Sequence, residues 1–455
     1  MARRLVQVVV IGVFTVLSCA VAGADGDQEV RKELEGLKRR VEELEAGLGL
    51  QGTAEVEQTG AMPVADRVEA LGEEVERLGY SQRVGAAVLD ALDGVGLGGG
   101  LTFIGQGTAG NEGSDSAGGD TAEVSVSGDL DVTMPVGEYG LGYGRGLVGR
   151  GEGVAHALPS GFSGANADLE VGEDNFKLAE AWYELILPYP TVVDRRVGFQ
   201  LGAMDPTGFF DANSVANDET QQFLADVFVN NLAIDWGGDD NGYGLGARLA
   251  WRLTSVYNKA LTVETHFGLF EGDGDYTDAL DHPFAIGELD VSRSYYGLLG
   301  NYRMFGWTNR TDHLDFEDIE GEGKPSWGAG VSLDQQVASD LTLFLRYGWQ
   351  DPAVSTFDHA VSLGGRLYGN LWRRGGDVLG LAAAYTHGSD KYGKVSERLD
   401  GAAVSGGETF AEVYYSYRLE AGVRVSPHVQ YVSNPGAVVG AGDLFLYALR
   451  VQIDF

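Results

Sequence analysis

The chain has a single cysteine, Cys19, in 455 residues, so it cannot form an internal disulfide. Lysine is scarce too: only seven of the 32 basic residues are Lys. Arginine therefore carries most of the positive charge, and its planar fork of donors suits binding oxygens along a polar wall. Positive charge is short overall. The 67 acidic residues leave a net charge of −35, which excludes nucleic acid as a partner because a polyanion is repelled. The plain reading of most Asp and Glu is a solvated surface. After the N-terminal residues no apolar run is long enough for a membrane-spanning helix.

Catalytic and metal-binding signatures are missing as well. The seven His show no H-E-x-x-H spacing, and no G-x-S-x-G elbow occurs. Gly105–Gly110 and Gly144–Gly149 fit G-x-G-x-x-G, but neither opens a helical pattern after a strand, as a dinucleotide site requires. Asp273, Asp275 and Asp278 do not complete a calcium loop and read as an acidic surface loop. No catalytic residue, metal or cofactor is implied.

The N-terminus reads as an export signal, residues 1–24. Arg3 and Arg4 precede an apolar run from Leu5 to Leu17, and small residues follow, with Ala22 or Ala24 at the cleavage point. Val16-Leu17-Ser18-Cys19 has the outline of a lipoprotein processing site, with Leu17 an unusual residue in it. Residues 25–82 read as an α-helical coiled-coil stalk. Val30, Leu34, Leu37, Val41, Leu44 and Leu48 are spaced 4, 3, 4, 3, 4 with charged residues between them. After a linker with Gly49, Gly52, Gly60 and Pro63, the positions Val64, Val68, Leu71, Val75 and Leu78 repeat the pattern. Val at a and Leu at d favour two parallel strands, hence a homo-oligomer.

From about residue 98 to 455 the period changes to two, and glycine and aromatics are abundant, with 69 Gly and 20 Tyr in the chain. The last strand is the clearest. Phe445, Tyr447, Leu449, Val451, Ile453 and Phe455 alternate with Leu446, Ala448, Arg450, Gln452 and Asp454. One face suits lipid and the other water, as a barrel strand needs. The rhythm recurs at 245–253, 341–349, 411–419 and 423–431. Further strands are expected at 99–107, 121–136, 175–187, 194–205, 259–270, 293–306, 326–338, 357–371 and 377–387. The fold class is therefore all-β: a transmembrane antiparallel β-barrel of about 16 strands, with roughly 22 residues per strand and connection. Closure leaves no strand edge unpaired in the bilayer. The long connection from Asp205 to Asn231 contains an expected short helix, Asp218–Phe228, with Asn217 as cap. It either folds into the lumen or forms an ordinary outer loop.

Three segments resemble the OprB-type carbohydrate-selective porins. The first runs from Gly208-Phe209-Phe210-Asp211-Ala212-Asn213 through Asn217-Asp218-Glu219-Thr220-Gln221-Gln222-Phe223-Leu224 to Val229-Asn230-Asn231. The second is Gly364-Gly365-Arg366-Leu367 with Arg374, Asp377, Leu379 and Gly380. The third is Glu408-Thr409, then Tyr415, Tyr417, Arg418, Pro427-His428-Val429-Gln430-Tyr431 and Asn434-Pro435-Gly436. The resemblance spans about Gly98 to Phe455. It implies an outer-membrane channel passing glucose and other small sugars by diffusion, and Phe455 resembles the terminal signal read by the barrel-assembly machinery. Some relatives look like general pores for ions and small solutes, and many of these carry a wall-binding domain before a coiled coil. Between Ala24 and Gln28 there is no room for such a domain. A structural barrel that presents the stalk in the periplasm is the rival from another class.

Strand parity nominates lumen-facing residues. Glu180, Trp182 and Glu184 share one face, and Arg196 and Gln200 another. Arg248, Arg252, Arg346, Arg366, Glu412 and Arg418 also fall on polar faces. Charged rings set selectivity in pores, and Trp182 offers a stacking surface for a sugar ring. The plainer reading is a wall of ion pairs that only keeps the lumen polar.

Overall fold

The computed structural model describes residues 94–455 except 111–118, 152, 155–157, 159–160, 169–175, 189–195, 239–241, 255–260 and 275–280. The expected signal segment and coiled coil lie outside the described residues, as do Asp275 and Asp278.

Sixteen antiparallel strands form one closed barrel. In chain order they are β1 Gly96–Ala109, β2 Ala122–Val136, β3 Gly140–Arg150, β4 Phe176–Pro188, β5 Arg196–Met204, β6 Gly244–Thr254, β7 Leu261–Phe270 and β8 Phe284–Tyr295. They continue as β9 Leu298–His313, β10 Lys324–Gln336, β11 Leu341–Gln350, β12 Phe357–Gly369, β13 Arg374–Gly388, β14 Gly407–Glu420, β15 Val423–Ser433 and β16 Leu444–Asp454. Each strand pairs with its chain neighbours. The ring closes where β1 meets β16, from Gly100↔Asp454 to Ala109↔Phe445. At this seam the Thr102 hydroxyl donates to Gln452 Oε1 at 2.6 Å.

Alternation decides the two faces. Phe103, Phe445, Tyr447 and Leu449 are exposed on the outside, where lipid covers them, while Thr102, Gln106, Arg450 and Gln452 are buried inside. Aromatic side chains gather at both rims. The Trp327 and Trp349 rings meet edge to face at 4.7 Å near one end, and Trp372 donates to the Tyr415 hydroxyl at 2.9 Å near the other. Such amphipathic rings suit the headgroup level.

One end has short turns, and both β1's start and β16's end lie there. One of the two-residue turns is Tyr296-Gly297. Both residues have positive φ, 52° and 84°, which matches the right-handed twist of a two-residue hairpin. The other end carries the longer loops.

Two strands escaped the sequence reading. One is β3, GLGYGRGLVGR, which contains the G-x-G-x-x-G match Gly144–Gly149. Four of its outward positions, Gly140, Gly142, Gly144 and Gly146, are glycines, so the apolar alternation that marks a lipid-facing strand is nearly absent. The expected strand 293–306 instead spans the β8–β9 turn, because Tyr295 and Tyr296 look like strand residues. The expected helix Asp218–Phe228 shrinks to one turn, α1, Asp226–Val229. Upstream of it, barrel side chains bind the backbone groups that a helix would have paired internally.

Candidate pore and its constricting loops

The connection from β5 to β6 folds inward across the lumen. It begins with a cap: Asp205 Oδ1 accepts the Thr207 N–H at 2.8 Å over a 3₁₀ turn at Pro206–Gly208. Phe210 then enters an apolar cluster with Met204, Phe270, Phe284, Ile286, Phe305 and Trp307 on the inner wall. Asp211 takes a left-handed φ of 56°, which Asp tolerates better than most residues. This turn sends the chain towards the opposite wall.

Arg346 of β11 fixes it there. Its side chain is 1% exposed. The guanidinium pairs with Asp211 Oδ2 at 3.0 Å. It also donates to the carbonyls of Phe228 at 2.7 Å and Asp211 at 2.8 Å, and to Asn217 Oδ1 at 2.9 Å. Arg450 of β16 donates to the carbonyls of Gln222, at 3.0 Å, and Glu219. Glu412 of β14 accepts the N–H groups of Leu224 at 2.9 Å and Ala225 at 3.0 Å. Hydrophobic packing completes the attachment. Phe223 and Phe228 are fully buried against Phe344, Phe410 and Tyr414, each worth about 2 kcal/mol of burial.

The β3–β4 loop joins from above. Asp226 accepts the Gly164 N–H at 3.0 Å while its own N–H returns a bond to the Gly164 carbonyl at 3.1 Å. Glu408 of β14 accepts the N–H of Phe162 at 2.9 Å and of Gly436 at 2.8 Å. Burial with no cation beside it pushes the Asp226 carboxyl up to about 6. Burial does the same for Asp168, to about 6, against the opposing hydrogen bond from Ser127.

The two loops thus fill the lumen against β11–β16. Two of the open recesses among the described residues lie elsewhere. The larger, about 470 Å³, lies between the long loop and β16, β1, β2 and β3. Asp129, Asp131, Arg145, Asp205, Asp218, Gln221 and Gln452 are among its lining. Arg145 stands 3.8 Å from Asp131 and 4.0 Å from Glu180. The smaller recess, about 260 Å³, is set in the inner wall of β4–β8.

The residues nominated from parity fall into separate groups. Glu184, Arg196, Arg248 and Arg252 gather around the smaller recess. Glu180 is buried and accepts the Trp182 indole N–H at 3.1 Å and the Asp205 N–H at 3.3 Å. Trp182 stacks on Tyr143 at 4.8 Å and meets Phe209 edge-on at 5.9 Å. Gln200 is buried and accepts from Arg248 at 2.6 Å. Arg346 and Glu412 hold the long loop. Arg366 lies over the Tyr368 ring at 5.2 Å, and the Arg418 main-chain N–H donates to Asp377 at 3.0 Å; neither residue lines either recess. Parity could also have found Asp129, Asp131 and Arg450. Asp205 and Asp211 sit in a loop, where no periodic signal exists, and Arg145 was hidden in the glycine-rich β3.

A closed 16-stranded barrel with an apolar outer band, aromatic rims and loops folded into a polar lumen defines an outer-membrane channel protein. The family model described as "Carbohydrate-selective porin, OprB family" matches residues 141–455, and the chain belongs to that family. Among solved structures it is similar to OprB of Pseudomonas putida, with a TM-score of 0.69 at 18% identity, over 82% of this chain and 97% of that one. It also matches the outer-membrane channel DcaP of Acinetobacter baumannii, with a TM-score of 0.48 at 13% identity, over 79% and 97% of the two chains. A protein of Aquifex aeolicus (strain VF5), itself uncharacterized, is 28% identical over 206 residues, 45% of this chain. The match spans about half, 54%, of that relative's length. The family and fold are those of channel proteins, they place the chain in the outer membrane, and the family implies passage of small solutes.

Proposed function

We propose that the chain is a passive diffusion channel for small neutral carbohydrates of glucose size. The observation that carries this reading is the narrowing of the lumen by a loop held through Arg346, Arg450 and Glu412. The recess between that loop and β16, β1, β2 and β3 is lined by hydroxyl, amide and carboxylate groups with one guanidinium, Arg145. Such a wall can exchange hydrogen bonds with successive sugar hydroxyls as they shed water, and it holds no deep trap that would stop release. The acidic lining supports a second reading for ions: among charged solutes, cations pass in preference to anions.

The segment before the barrel completes the reading. Cleavage of residues 1–24 follows export. β1 begins at the short-turn end, which supports a periplasmic place for the segment before it, and the heptad spacing within 25–82 supports a stalk that self-associates. Phe455 continues the outward row of β16, and its resemblance to a terminal assembly signal supports recognition by the barrel-assembly machinery.

Titrating glucose onto single channels of the purified chain in a planar bilayer tests the carbohydrate reading. Saturable reduction of the ion current supports a sugar that dwells in the passage. A reduction that tracks only solution viscosity contradicts it.

A further inference from the structure

We propose that a groove on the outer wall of β10–β14 binds one anionic glycerophospholipid from the leaflet at the short-turn end. Its acyl chain lies in the groove and its phosphate meets Arg293 of β8. This goes beyond the channel reading and does not depend on which solute passes.

Strand alternation builds the groove. It encloses about 770 Å³ on the lipid-facing side, and its lining is almost entirely apolar. Leu343, Leu363 and Leu381 form its sides and are exposed there. Gly365 stands between Leu343 and Leu381 in the ladders, and Ala383 stands between Leu363 and Ala411. These three small residues lower the floor where the neighbouring outward positions carry leucine. Along β11 the groove runs past Leu341, Leu343 and Leu345. Four residues of strand span about 13 Å, close to half of a hydrocarbon core about 30 Å thick. An acyl chain of one leaflet has that reach. Laid over the small residues, it supplies the leucine walls with dispersion contacts they otherwise lack.

The end of the groove nearest the short turns is polar. Tyr302 and Gln335 line it there, and the Tyr302 hydroxyl donates to Gln335 Oε1. Both side chains reach over Gly300, where an added Cβ would meet them. Gly300 pairs directly with Arg293 across β8 and β9. Arg293 is exposed, lies over the Tyr295 ring at 4.4 Å and makes no ion pair among the described residues. The groove therefore ends beside a guanidinium that has no carboxylate partner.

The two ends fit the two parts of a phospholipid. Two phosphate oxygens take the planar fork of Arg293 in charge-assisted bonds. Tyr295 and Tyr302 stand beside it, at the level where amphipathic rings meet headgroups. A zwitterionic headgroup brings an ammonium to the same guanidinium and gains less.

The test uses the purified full chain in detergent and reads lipid retention by native mass spectrometry. The probes are phosphatidylglycerol and phosphatidylethanolamine with the same acyl chains. The wild type is expected to retain one phosphatidylglycerol about fivefold better, the worth of one basic residue at a headgroup surface. Arg293→Gln is expected to erase that preference. Ala383→Phe, which fills the groove from its floor, is expected to lower retention of both lipids and keep the preference. Equal retention of the two lipids by the wild type, a comparison that needs no variant, overturns the site. So does wild-type retention in both variants. An oligomer that retains no lipid and that Ala383→Phe dissociates also overturns it, and assigns the groove to a second copy of the chain.

Discussion

Replacing Arg346 by Met should release the long loop from the wall. The side chain is buried with Asp211, both at 1% exposure, and also donates three hydrogen bonds to the loop. Removing one partner of a buried pair leaves an uncompensated charge and costs about 3–5 kcal/mol. If the barrel itself stays closed by its sixteen ladders, that cost falls on loop docking. It raises the released fraction by about 10²–10⁴-fold, at a tenfold change per 1.4 kcal/mol. Single-channel recording of Arg346→Met should show larger and noisier conductance, and limited proteolysis should cut between 205 and 243 much faster. The double variant with Asp211→Asn should recover much of the wild-type behaviour, because no lone charge is left behind. Wild-type conductance together with wild-type protease resistance in the single variant would refute the anchoring role.

Other expectations follow from the same contacts. Phe228→Ala removes a fully buried ring from the loop core and should cost about 3–5 kcal/mol, visible as loop cleavage with the barrel still folded by circular dichroism. Glu412→Ala leaves the Leu224 and Ala225 N–H groups without acceptors, about 1–3 kcal/mol each, and should loosen the loop in the same protease assay while Glu412→Asp loosens it less. Docking should also depend on pH. Asp226 and Asp168 titrate near 6 when the loops are docked and near the usual carboxylate value of about 3.9 when released. The docked state therefore binds more protons between about pH 6 and pH 4, and it gains stability as pH falls through that window. Protease cutting of the loops should be slower at pH 5 than at pH 7.5, and Asp226→Asn should remove part of the difference.

Where burial alternates with lipid exposure, the fold was legible in the sequence. Phe445 to Phe455 showed its two faces without help because each outward position is apolar and long. The same rule failed at β3, where outward Gly142, Gly144 and Gly146 carry no side chain to signal lipid, and at the Tyr296-Gly297 turn, whose aromatic residue imitates a strand. Parity likewise brought Glu184, Arg196, Arg248 and Arg252 onto the inner wall, since facing depends only on the period of two. It could not separate them from Arg346 and Glu412. These share the same facing, but loop residues more than 100 positions away in the chain cover them. Loop docking is a tertiary event with no local period, so the helix expected at Asp218–Phe228 gives way to hydrogen bonds that Arg450 donates and Glu412 accepts.

The most direct test of the account is solute entry into liposomes carrying the purified chain, comparing glucose with a neutral non-sugar of equal size. The account predicts that glucose enters clearly faster, because the passage beside the long loop exchanges hydrogen bonds with its hydroxyls. Equal rates would contradict carbohydrate selectivity and leave a general pore, and no entry of either would contradict the channel itself.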